Sequence, residues 1–157
     1  TVLPATIHFI VDGASFVGLS DENDELEEAL SILGSLLLEL DRAGITCGLS
    51  LPATEGSPPA TLPPTDPSLT VQDLLIQLSA FDGDTATGDF DHGQLASLAQ
   101  SVGQLWLVNY SKQRLTCRPL LDLLEGRGLG VISWDGAPSE RYQVLALSSL
   151  KKGGGRP

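Results

Sequence analysis

Two hydrophobic rhythms run through this chain. Residues 5–11, ATIHFIV, form a continuous β-branched and aromatic run that passes directly into Asp12, Gly13 and Ser15, the pattern of a buried strand meeting its exit loop. From residue 24 the period lengthens. Leu26, Ala29, Leu30, Leu33, Leu37 and Leu40 recur at intervals of three and four, and Ile32 and Leu36 widen the stripe. This predicts a helix with one broad face laid on a sheet. Asp24 followed by Glu27 reads as a capping box at its start, and Gly44 stands where a left-handed C-terminal residue is wanted. Residues 45–51, ITCGLSL, return to strand character.

The alternation continues to the end of the chain. Residues 52–67, PATEGSPPATLPPTDP, predict a proline-stiffened surface connector, with a docking peptide for an SH3-like groove as the other reading. Thr70 to Asp73 open a second helix carrying Leu74, Leu75, Leu78 and Phe81. An acidic loop, FDGDTATGD, leads to a further helix from Phe90 or His92 to Ser101. Strands are predicted at 104–110 and 129–134, with a short helix from Pro119 to Glu125 between them and a last strand in YQVLALSSL. KKGGGRP, at 151–157, reads as a flexible tail. The order of elements predicts an α/β fold: a three-layer, Rossmann-like, mostly parallel sheet with helices on both faces, in one domain over residues 1–150. With no methionine anywhere, the chain is expected to be a fragment of a larger protein.

Charge narrows the partners. The 157 residues hold 20 acidic against 9 basic side chains, for a net charge of -11. Nucleic acid and anionic membrane surfaces both need a positive face, so neither is an expected partner; a basic protein or a cation remains. No apolar run reaches the ~18 residues of a membrane span, the longest being broken by Glu39 and Asp41. Any anchor therefore belongs to segments outside this chain. Cys47 and Cys117 lack CxxC or Cys/His spacing. Cys47 is expected to be a small buried hydrophobe, no disulfide is expected, and the usage suits a reducing, cytoplasmic setting.

In open α/β sheets, ligands gather at the carboxyl ends of strands. Four such ends are Asp12 to Ser15, Ser50 to Pro52, Asn109 to Ser111, and Asp135 with Gly136. Asp12 and Asp135 are the carboxylates immediately at those ends, so an acid pair or divalent-ion site would start from them. The competing reading makes each the polar end of a strand or a turn residue. No phosphate loop, EF-hand spacing or GxSxG elbow is present. His8, inside a strand, is expected to be a satisfied or half-exposed neighbour, and His92 a helix-start residue.

The exit DGAS, with DELEEALSILGSLLLELDRAGITCGLSLP forming helix and second strand, resembles the von Willebrand factor A fold. More narrowly, Glu28, Ala29, Leu30, Ser31, Ser35 and Leu36, with Gly44, Gly48 and Leu49, are similar to the degenerate A-type domain of a bacterial family encoded beside MoxR-type AAA+ ATPases. The resemblance covers residue 7 to about 134. It implies a metal-ion-dependent adhesion site: Asp-x-Ser-x-Ser after the first strand, a loop threonine, and an aspartate after a later strand. Asp12 takes the first position, but Ala14 and Phe16 stand where the hydroxyls belong and Ser15 is out of step. Asn109, Tyr110 and Ser111 replace the later aspartate, and Thr85 and Thr87 are the candidate loop threonines.

The resemblance therefore implies a non-catalytic protein-interaction domain with a degenerate adhesion site at Asp12, Ser15, Asn109, Ser111 and Asp135. Asp12 is at most a weak Mg²⁺ ligand, and no other cofactor is expected. A MoxR-type ATPase is the implied partner, within a cytoplasmic, membrane-associated assembly. The alternative is a divalent-metal-assisted phosphoryl or ester hydrolase using Asp12 and Asp135.

Overall fold

The computed structural model describes residues 5–17, 24–110, 129–134, 136 and 143–150. Six strands form one sheet in the order β3-β2-β1-β4-β5-β6: β1 (Thr6–Val11), β2 (Thr46–Leu51), β3 (Ala60–Leu62), β4 (Gln104–Asn109), β5 (Leu129–Ser133) and β6 (Gln143–Ala146). All neighbouring pairs are parallel except β2 with β3. The described helices are α1 (Asp24–Arg42), α2 (Val71–Ala80) and α3 (His92–Leu98), with a terminal helical turn at Leu147–Leu150.

Strand alternation divides the interior into two cores. Phe9 and Val11 of β1, Val108 of β4 and Ile132 of β5 join Leu26, Leu30, Leu33 and Leu37 of α1 and Leu74 and Leu78 of α2. Ile10, Leu105, Leu107, Leu129 and Val131 face the other way, onto Leu95 and Leu98 of α3 with Phe90. Successive strand side chains point to opposite faces, so helices cover both and three layers result. The expected α/β fold is what the chain adopts.

Helix ends follow local chemistry. Gly44, at φ 83°, closes α1: its N–H donates to the Asp41 carbonyl at 3.0 Å and Ile45 N–H donates to Leu40 at 2.9 Å. These are the paired bonds of a Schellman stop, which satisfies carbonyls the last turn leaves open. Thr70 and Asp73 form a reciprocal capping box at α2, and Asp91 Oδ1 accepts from Gln94 N–H at the start of α3.

Three expectations need correcting. The proline-rich stretch after β2 contains a strand, because Ala60, Thr61 and Leu62 lie between prolines and pair antiparallel with Leu51, Ser50 and Leu49. Proline is tolerated beside a short edge strand, whose outer side needs no ladder partner. The last apolar run also divides: Gln143–Ala146 is strand and Leu147–Leu150 is helical, with Leu147 buried in the α1-side core. The third helix stops at Leu98, short of Ser101. The helix expected at 119–125, Cys117 and the tail at 151–157 lie outside the described residues.

Candidate functional site

The strand order turns at β1, which runs parallel with β2 on one side and with β4 on the other. The exits of β1 and β4 thus flank a topological switch point, where the loops diverge to opposite sides and leave a crevice. Asp12 and Asn109 are the residues at those two exits, both completely buried.

Asp12 is fixed to the sheet by its own N–H, which donates to the Val108 carbonyl at 2.8 Å. The chain then makes a 3-10 turn, Gly13–Phe16. Ser15 locks that turn: its Oγ–H donates to the Asp12 carbonyl at 2.7 Å, and its Oγ accepts from Tyr110 N–H at 2.9 Å. One buried hydroxyl thereby clasps the exit of β1 to the exit of β4. Phe16 enters the core and meets Tyr110 edge to face, with ring centroids 5.9 Å apart and planes at 77°. Phe16 is thus a packing residue.

Gly13 lets a second loop approach. A Cβ built there would lie 2.8 Å from the Phe81 ring, closer than such contacts allow, and a tight 3.3 Å from Ala86 Cβ. The acidic segment 81–89 therefore leans against the β1 exit. Its two threonines are engaged elsewhere. Thr85 Oγ1 donates to Asp82 Oδ2 at 3.0 Å and accepts from Glu55 N–H at 3.1 Å. Thr87 Oγ1 donates to the Ala53 carbonyl at 2.8 Å and accepts from Asp89 N–H at 3.1 Å. Backbone bonds between Ala53 and both Asp89 and Thr87 complete the seam.

On the other side, Trp134 N–H donates to the Asn109 carbonyl at 3.1 Å, and Gly136 N–H donates to Ser133 Oγ at 3.0 Å. Gly136 has φ 65°, and a Cβ on it would come 2.7 Å from Ala146 Cβ, so the turn after β5 is pressed onto β6. The structure brings Asp12, Ser15 and Asn109 to one end of the sheet. Ser111 and Asp135 lie outside the described residues.

These donors do not fit the octahedral oxygen shell that Mg²⁺ demands. Ser15 Oγ already accepts from Tyr110 N–H while donating to the Asp12 carbonyl, Ala14 offers no side-chain oxygen, Phe16 is in the core, and both loop threonines hold other partners. Among the described residues, no group of three His, Cys, Asp or Glu side chains is placed to hold a metal ion.

The most perturbed titratable group lies elsewhere and was not singled out by its sequence context. Of the two alternatives for His8, satisfied or half-exposed, the structure shows a fully buried ring that is satisfied at one of its nitrogens. Its Nε2 lies 2.7 Å from Ser50 Oγ, which lies 3.0 Å from Thr61 Oγ1, so three adjacent strands are joined by a polar chain. Nδ1 has no hydrogen-bond partner. Burial pushes the imidazole pKa down to about 3, because a buried cation loses its hydration. The Cys47 thiol is pushed up to about 11, first by burial and then by the Asp41 charge.

Comparison with protein-family models finds no match, and comparison with curated proteins finds none. Among solved structures, the chain is similar to proximal thread matrix protein 1 from the mussel byssus, at a TM-score of 0.54 and 13% identity. The similarity covers 94% of this chain and 45% of that one, so this chain spans less than half the length of that protein. At this identity the likeness concerns the fold alone. Among the described residues, no helix is long and apolar enough to cross a membrane.

Proposed function

We propose that this chain is a non-catalytic protein-interaction domain of the von Willebrand factor A-like type, with a degenerate adhesion site that no longer depends on Mg²⁺. The observation that carries the reading is the Ser15 clasp: at the switch point, the hydroxyl beside Asp12 serves the backbone of two strand exits. A site built this way retains the architecture of a binding rim while its oxygen donors hold the rim together. The proposed recognition face comprises the loops around Asp12, Ser15 and Asn109; Ser111 and Asp135, also expected from the sequence, lie outside the described residues. The proposed partner is a MoxR-type AAA+ ATPase acting in the cytoplasm beside a membrane-associated assembly.

The test is interferometry with a purified MoxR-type ATPase, with Mg²⁺ and with chelator. Specific binding that survives chelation and weakens about ten-fold, equivalent to about 1.4 kcal/mol, on charge reversal of exposed Asp84 or Asp89 supports the reading. Micromolar Mg²⁺ affinity by calorimetry that vanishes in Asp12→Ala would overturn it. So would phosphoester or ester turnover lost in Asp12→Asn.

A further inference from the structure

The chain His8–Ser50–Thr61 spans β1, β2 and β3 and ends on the edge strand, where Thr61 is half-buried. Its polarity can be assigned. A proton on Nδ1 would be a buried donor without an acceptor, so the neutral ring carries its proton on Nε2, donates to Ser50, and Ser50 donates to Thr61. Nδ1 is then the atom that takes the second proton in acid.

The surroundings of Nδ1 determine the consequence. A Cβ built on Gly48 would lie 2.4 Å from Nδ1, 2.4 Å from Pro64 Cδ and 2.7 Å from the Leu62 carbonyl. The ring, the end of β3 and Pro64 therefore converge over the bare Gly48 backbone. Strands β1 to β4 contain no Asp, Glu, Lys or Arg. From the elements packed nearby come Asp91 and His92 at the start of α3, both exposed, and Asp66 beyond β3, whose carboxylate is held by Ser68. Among the described residues none supplies a buried counter-charge. On one flank His8 is covered by β4, a parallel neighbour of β1 registered over five positions; on the other the outermost cover is β3, antiparallel and registered over three. The shorter route to water runs through β3.

We propose that His8 is an acid-sensitive latch on the edge of the sheet: protonation at Nδ1 is accommodated by release of β3 and the Leu62–Pro64 segment, which uncovers the outer side of β2. The ring gains its proton only in the released state, so acidification favours release without unfolding the centre of the sheet.

Hydrogen exchange of the intact chain at pH 7 and pH 5, corrected for intrinsic rates, tests this. For a released imidazole of ordinary pKa near 6.5, protection of the β3 amides and their β2 partners should fall about twenty-five-fold between these pH values. It should lie below that of β1 and β4 at both. His8→Gln should make β3 protection independent of pH. Thr61→Val, which keeps the shape but removes the end of the chain, should lower β3 protection at both pH values while leaving its pH dependence. β3 protection that is unchanged in acid, or β3 exchange in step with β1 and β4, would overturn the latch. Carbon-13 spectroscopy of the His8 ring supplies a variant-free check: an imidazolium signal at pH 5 while β3 amides stay protected would also overturn it.

Discussion

Replacing Ser15 with alanine isolates the clasp between the β1 and β4 exits. The substitution removes one oxygen from a fully packed position and leaves the 3-10 turn compatible with its new residue. Among the described residues, two hydrogen bonds disappear, to the Asp12 carbonyl at 2.7 Å and from Tyr110 N–H at 2.9 Å. The Asp12 carbonyl keeps a second donor, Ser15 N–H at 3.1 Å, so its loss is the ordinary net worth of about 1 kcal/mol. Tyr110 N–H loses its acceptor in a half-buried position, at a cost of about 1 to 2 kcal/mol. The expected destabilisation is therefore roughly 2 to 3 kcal/mol, or a fall in Tm of about 4 to 12 °C for a domain of this size. Urea denaturation followed by tryptophan fluorescence should show a lower midpoint with an unchanged slope. A loss below about 0.5 kcal/mol would refute the clasp and reopen Ser15 as a free oxygen donor.

Other outcomes follow from the same geometry. Gly48→Ala forces a methyl into His8 Nδ1, Pro64 and the Leu62 carbonyl, and should cost at least the roughly 1 to 3 kcal/mol of an overpacked core, measured by chemical denaturation. Thr70→Ala removes the α2 capping box and should cost about 1 kcal/mol on the same assay. His8 has a folded pKa near 3, below its unfolded value of 6.5, so the unfolded chain binds more protons. Its contribution is present above pH 6.5 and is lost as pH falls toward 3, about 2 kcal/mol being gone by pH 5; the unfolding free energies of wild type and His8→Gln from urea denaturation should converge by that amount. Cys47, with its thiol pushed up to about 11, should react with iodoacetamide at pH 8 roughly a hundred-fold slower than an unperturbed thiol, as read by site-resolved mass spectrometry.

The layered fold was legible because its helices carry broad apolar stripes and its strands do not. Leu26 to Leu40 and Leu74 to Leu78 announce faces that must be buried, and Gly44 announces a stop through its own backbone freedom. Strand β3 was obscured because prolines on both sides dominate the reading of a segment whose three intervening residues suffice for an edge strand. Asp12 and Asn109 were recognisable as strand exits. The use of Ser15 was not, since its partner Tyr110 is 95 residues away, and Thr87 finds its acceptor 34 residues back. His8 shows the same limit. A histidine within an apolar run does not reveal whether the neighbouring strand will offer Ser50, or whether Gly48 will let Pro64 close over the ring.

The seam between residues 53–55 and 82–89 would have a kinetic meaning for a partner that settled on this end of the molecule as proposed above. Side-chain hydroxyls and backbone amides have already brought these two turns to a common contour, so docking requires little further ordering of them. Encounter with such a face is a matter of matching outlines and potentials, closer to key and lock than to mutual moulding.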